Sequence, residues 1–188
     1  RSGFVERGRE GSWATLEIGD SVEADDSIRT GPDGVCEVQF GGSAAVRVQP
    51  STLFMINTLA LSDTSSQVDG SLAIGTILNK VSKLAGNDSY MIRTETSVAG
   101  VRGTEFVIST DSVKGTTVAV KEGKVAMLPV SQDVYDLLDQ AETNPVAAAA
   151  VQSIVSGAVI VEADQELTVD EDDAAQAALV YSELAKEV

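Results

Sequence analysis

Residues 90–109 read Tyr-Met-Ile-Arg-Thr-Glu-Thr-Ser-Val-Ala-Gly-Val-Arg-Gly-Thr-Glu-Phe-Val-Ile-Ser. Tyr90, Ile92 and Thr94 alternate with Met91, Arg93 and Glu95, the period of a strand with one buried face. Phe106 and Ile108 alternate with Glu105, Val107 and Ser109, so a second strand follows, with Phe106 turned inward. Between them lies Ala99-Gly100-Val101-Arg102-Gly103-Thr104. Two glycines three apart predict a turning backbone with positive φ, or close approach to a neighbouring strand. Arg102 stands between these turn-formers. Its guanidinium, five donors in a fixed fork, either reaches outward as a recognition group or ties backbone carbonyls inside the turn. A stretch that fixes chain geometry needs no ligand, which favours the second role.

The same alternation continues toward the N-terminus. Leu16-Glu17-Ile18 and Val22-Glu23-Ala24 flank Gly19-Asp20-Ser21 as a predicted hairpin. Ile28-Arg29-Thr30 leads into Gly31-Pro32-Asp33-Gly34, a turn by its chemistry. Cys36, Val38 and Phe40 alternate with Glu37 and Gln39, Gly41-Gly42 turns the chain, and Val46 and Val48 alternate with Arg47 and Gln49. Short strands with a turn roughly every ten residues predict a mainly β fold, a two-sheet antiparallel sandwich or a flattened β-solenoid. Ile28-Arg29-Thr30 recurs as Ile92-Arg93-Thr94, a faint internal echo of stacked strand–turn units. Only 4% of the residues are aromatic, which suits a thin core of Val, Ile, Leu and Ala.

The central stretch resembles the TP-x-A-x-AGVRGT-x-F signature of FecR-type periplasmic domains. Here Thr94-Glu95 stands for the usual Thr-Pro and Ser97 for the small alanine, while Val98 through Phe106 fits closely. Further motifs follow in order over residues 12–129. Trp13 to Asp20 resembles the opening "G-D-x-V" hairpin, Asp26 to Gly31 the "D-x-I-R-T-G" turn, Gly42 to Ser51 the "G-S-x-x-x-L-x-P-x-S" strand, and Val120 to Val125 the "V-x-E-G-x-V" unit. The resemblance implies an exported, non-enzymatic interaction or signalling module of the bacterial envelope. It points to a protein partner, with an outer-membrane protein as one form of it. In the complete family architecture a cytoplasmic anti-sigma segment and a membrane helix precede this domain. A stand-alone exported version is the closer match, with a leader or anchor expected ahead of Arg1.

Residues 57–71 predict a short strand at Leu59–Leu61 between loops, and Leu72 and Ile74 begin another that runs through 76–86. Val134, Leu137, Leu138 and Ala141 follow helical spacing behind Ser131, and Asn144-Pro145 starts a second helix with Val151, Ile154 and Val155 as its stripe. This predicts a helical hairpin over 131–156 inserted into a β domain of residues 1–130 plus 157–170. Residues 171–188 predict a terminal helix, acidic at its start, with Val180, Tyr181, Leu184 and Val188 as the apolar stripe.

The formal net charge of −16, with no histidine, repels phosphate backbones and anionic lipid. Nucleic acid and bare membrane are therefore excluded as expected partners, and basic proteins, cations and neutral polymers are left. No apolar run is long enough to span a bilayer. Cys36 is the single cysteine and reads as an inert core residue. No nucleophile–base pair or cofactor motif stands out, so neither catalysis nor a cofactor is expected. Asp170 to Asp173 and the Asp20, Glu23, Asp25 and Asp26 group match no calcium loop. They read as a helix start and a solvated turn. The candidate site is therefore the motif itself: Gly100, Val101, Arg102, Gly103, Thr104 and Phe106. A carbohydrate- or peptidoglycan-binding module and a structural envelope spacer are the alternatives. Trp13, Tyr90, Tyr135 and Tyr181 are scattered, against a sugar-stacking face. For a protein partner, strand addition beside the strand ending near Ile108 is the expected mode.

Overall fold

The computed structural model describes residues 1–62, 65–84, 88–130, 134–135, 151 and 154–186, with 182–186 as backbone. The first strands are β1 (Val5–Arg9), β2 (Ser12–Thr15), β3 (Ser27–Thr30), β4 (Cys36–Phe40), β5 (Ala44–Val48), β6 (Leu53–Leu61) and β7 (Ser66–Val81). They are followed by β8 (Ser89–Arg93), β9 (Ser97–Val101), β10 (Glu105–Asp111), β11 (Gly115–Glu122), β12 (Lys124–Pro129), β13 (Val159–Glu162) and β14 (Glu166–Val169). Helix α1 (Glu171–Lys186) follows. All fourteen strands join one open, hydrogen-bonded network.

The network divides within one strand. β7 bends at Gly75, whose φ is +100° and whose added Cβ would lie 2.3 Å from Thr52 Oγ1. Before the bend β7 pairs with β6 and β8; after it, with β5 and β10. This makes a first arm, β13-β12-β9-β8-β7-β6-β3-β1-β2, and a second arm carrying β14, β11, β10, β7, β5 and β4. One core joins them: Ile28, Phe54, Ile92 and Val125 from the first arm meet Val46, Ile77, Phe106 and Val118 from the second. Tyr90 crosses between the arms. Its hydroxyl donates to Asn79 Oδ1 at 2.7 Å, and its ring meets Phe106 edge-on at 6.5 Å.

A smaller cluster lies on the outer face of β9 and β12, where Val98, Leu128 and Val130 pack with Val134, Ile154 and Tyr181. β9 is thus buried on both faces from Ser97 to Ala99, which explains its start Ser-Val-Ala without alternation. Asp170 caps α1: its Oδ1 accepts the Asp173 amide at 2.9 Å, and Asp173 Oδ2 accepts the Asp170 amide at 3.3 Å.

Several expectations need correction. The sheet is mixed rather than wholly antiparallel, because Gln67–Ser71 runs parallel to Ser89–Arg93. Residues 16–24 form no strand; Leu16 is buried from a loop. β6 (Leu53–Leu61) is longer than the short strand expected at Leu59–Leu61, and β7 begins at Ser66, inside an expected loop, before following the strand expected from Leu72 as far as Val81. Val180 is 58% exposed, and α1 turns Ala174, Ala177 and Tyr181 inward in its place. β10 is paired on both sides, by β11 and β7, so it offers no edge near Ile108. The expected helical hairpin at 131–156 lies mostly outside the described residues.

Candidate functional site

The signature residues separate into two groups. Gly103 has φ +85°, and a Cβ there would sit 3.0 Å from Lys83 Cα. Gly123 also has φ +85°, and its Cβ would fall 2.5 Å from the Gly103 carbonyl oxygen. Thr104, buried, exchanges backbone bonds with Val81 at 2.9 and 3.1 Å, and its hydroxyl donates to the Lys124 carbonyl at 2.8 Å. Val101 and Phe106 belong to the core. Val101, Gly103, Thr104 and Phe106 therefore make a packed corner that locks two motifs of the sequence together.

Gly100 and Arg102 do something else. Gly100 is outside the positive-φ region and has no heavy atom within 4 Å of an added Cβ. Ladder register puts it in a row with Met91, Ala126 and Ile160 across four strands. These residues, with Arg102 and Lys124, line a surface depression of about 530 Å³. Arg102 is exposed there, and Lys124 Nζ pairs with Glu162 at 2.5 Å.

A second groove, about 830 Å³, was not singled out from sequence. Asp69, 7% exposed, holds Arg93 Nε at 2.9 and 3.1 Å and accepts from Asn57 Nδ2 at 3.1 Å. The Arg93 guanidinium lies 5.7 Å from the ring centre of Tyr135. Tyr135 donates toward the Thr94 and Ser97 carbonyls, at 2.5 and 2.9 Å, and burial pushes its hydroxyl pKa up. Behind it, Thr94, Thr96 and Thr116 form a buried hydroxyl network, with Thr94 to Thr116 at 2.6 Å and Thr96 to Thr116 at 2.9 Å. The only trace of this site in the sequence is the echo. In both copies the isoleucine enters the core and the threonine binds a turn, through Thr30 to the Gln49 carbonyl and Thr94 to the Ser97 carbonyl. Both arginines pair with a carboxylate and stack on an aromatic ring: Arg29 on Glu6 and Trp13, Arg93 on Asp69 and Tyr135.

Of the four scattered aromatics, Tyr90 and Tyr181 are buried, Tyr135 lines this groove and packs against the small cluster that holds Tyr181, and Trp13 is 41% exposed on β2. Asp26 is not in a solvated turn. It is fully buried, bound twice by Arg9 at 2.6 Å, and accepts the Glu23 amide at 2.8 Å. Burial opposes its ionisation, but the Arg9 guanidinium and the amide outweigh that and hold the carboxyl below its usual value.

The model of the FecR protein family matches residues 26–126, more than half of the chain. The chain belongs to the FecR protein family. The matched region runs from the buried Asp26 through both locked motifs to Ala126. A crystal structure described as a candidate anti-sigma factor from Parabacteroides distasonis shares the fold, at TM-score 0.52 and 14% identity over 77% of this chain. The chain spans about half of that protein, 54%. A second such structure from the same organism matches at TM-score 0.49 and 13% identity, over 82% of this chain and 64% of the other. No curated protein matches the chain.

Proposed function

We propose that this FecR-family chain is a non-enzymatic signalling module of the bacterial cell envelope, exported, that acts by binding another envelope protein. The observation that carries the reading is the division inside the signature. Gly103, Thr104 and Phe106 have packing reasons for their identity, whereas Gly100, where an added Cβ would meet nothing within 4 Å, opens on a shallow depression walled by Met91 and Ile160, with Arg102 in its lining. A shallow face of apolar walls with a charged rim suits a protein surface better than an enclosed small molecule. Family membership supports the envelope setting. Among the described residues no helix is long and apolar enough to cross a membrane.

Affinity capture from envelope extract tests this, with wild type beside Gly100→Trp and Arg102→Glu. The expected outcome is one protein retained by wild type and lost by both variants at unchanged melting temperature. Saturable binding to a glycan array with no captured protein would replace this reading with a carbohydrate- or peptidoglycan-binding one.

A further inference from the structure

The second arm ends at β4, which among the described residues pairs only with β5. Just ahead of β4, Val35 and Ser2 exchange both backbone hydrogen bonds at 2.8 Å each. Backbone groups alternate sides along a strand, so Glu37 and Gln39 present their N–H and C=O on the side that Val35 offers to Ser2. That side borders a groove of about 560 Å³. Its far wall is the 16–22 loop, whose Leu16 is buried and whose Val22 packs on the core; Leu59 and Leu61 of β6 extend the apolar surface.

The wall is already ordered. The Asp20 carboxylate accepts the Glu17 amide at 2.8 Å, and Arg7 donates to the Ser21 carbonyl at 2.7 Å. The Arg9–Asp26 pair closes the far end of this segment. The chain itself shows what the groove takes at its mouth: Ser2 supplies extended backbone to Val35, and the Arg1 guanidinium reaches Glu17 at 3.4 Å.

We propose that this groove docks an extended segment of a partner protein as an added strand on β4, with Lys or Arg alternating with apolar residues along it. Main-chain bonds to Glu37 and Gln39 supply affinity, while side-chain alternation supplies selection. Apolar residues of the segment face Leu59 and Leu61, and basic ones face Glu17 and Glu37. The net charge of −16 favours such a partner and opposes a second copy of this chain, which would bring like charges together along β4. The inference rests on the protein-binding reading and names a contact for it.

The probe is a synthetic peptide, acetyl-Val-Lys-Val-Lys-Val-Lys-Val-amide, beside a control of the same composition in two blocks. Binding is followed by titration and amide hydrogen exchange. Gln39→Pro removes an edge N–H, and Leu61→Arg adds repulsion at a side chain already half exposed. The alternating peptide should saturate, slow exchange at Glu37 and Gln39, and bind at least about tenfold more tightly than the block control. Both variants should lose about tenfold in affinity, Leu61→Arg without a change in melting temperature. Equal binding of the two peptides, protection on β2 or β13 instead, or a dimer that shields Glu37 and Gln39 would overturn the proposal. Capture of the same envelope protein by wild type and both variants overturns the groove while leaving the protein-binding reading in place. A saturable peptide on β4 with no protein captured does the reverse.

Discussion

Two glycines from two neighbouring motifs, Gly100 and Gly123, should respond differently to the same added methyl group. At Gly123 the backbone has φ +85°, so alanine must adopt a left-handed conformation costing about 1–2 kcal/mol. Its Cβ would also stand 2.5 Å from the Gly103 carbonyl oxygen and 3.0 Å from Thr104 Oγ1. Neither atom is a flexible tip, since Thr104 is tied to the Lys124 carbonyl, so the corner must shift at about 1–3 kcal/mol. Together Gly123→Ala should cost about 2–5 kcal/mol, or roughly 4–20 °C in melting temperature for a chain of this size. At Gly100 the same methyl meets nothing within 4 Å and needs no unusual φ. Gly100→Ala should stay within about 0.5 kcal/mol of wild type. Thermal melts by circular dichroism, with urea titrations to check that the m-value is constant, measure both. Equal losses in the two variants, or a Gly123→Ala protein melting within about 2 °C of wild type, would refute the division of the signature into lock and face.

Phe106→Ala should destabilise the fold by about 3–5 kcal/mol, because the ring is 1% exposed and braces Tyr90; an unchanged urea midpoint would show that the ring is not core. Asp26 is held below its usual pKa when folded, against about 3.9 when unfolded, so its ionisation stabilises the protein above that value and the gain fades as pH falls through the folded value. Melting temperatures between about pH 5 and pH 2 should therefore fall more steeply for wild type than for Asp26→Asn, and parallel curves would contradict this. Burial pushes the Cys36 thiol up to about 11, so a maleimide should leave it unmodified in the native protein and label it in urea; fast native labelling would place it on the surface.

The strands easiest to read were those with one wet face. Cys36 to Phe40 and Glu105 to Asp111 show inward and outward residues in strict turn, and the burial follows that order. β1 escaped notice because Val5-Glu6-Arg7-Gly8-Arg9 lacks apolar alternation. Its polar residues pair at a distance, Glu6 with Arg29 and Arg9 with Asp26. Nothing local tells a carboxylate that its partner is 17 residues away, so Asp26 read as solvated. The first part of β7 read as a loop because Asp69-Gly70-Ser71 has turn chemistry. Gly70 lies under the Phe54 ring, where an added Cβ would be 2.6 Å away, and Gly75 passes the strand from one arm to the other. The Asp69–Arg93 groove was invisible for a similar reason: β6, β7 and β8 bring its parts together only across ladders.

The motifs that carry the family resemblance become intelligible once the two arms are separated. β3 belongs to the first arm and β4 to the second, and Gly31 to Gly34 lies between them. β5 passes back to β6 at Pro50-Ser51, where Ser51 has φ +54°. β9 passes to β10 at Gly103, and β11 to β12 at Gly123, both with φ +85°. Four of the five motifs thus sit where the chain leaves one arm for the other; the opening Trp13 to Asp20 stretch, between β2 and β3 of the first arm, does not. Such a passage demands a sharp bend beside another backbone, which only a few residue types tolerate. The strands between need only apolar residues in step, so many sequences serve there. A short pattern repeated at the passages can therefore specify the architecture while the rest of the chain varies. Gly100 lies inside the same pattern, within β9 rather than at a passage, and no bend or contact requires it. That exception is why the depression beside it, rather than the corner, is the place to look for a partner.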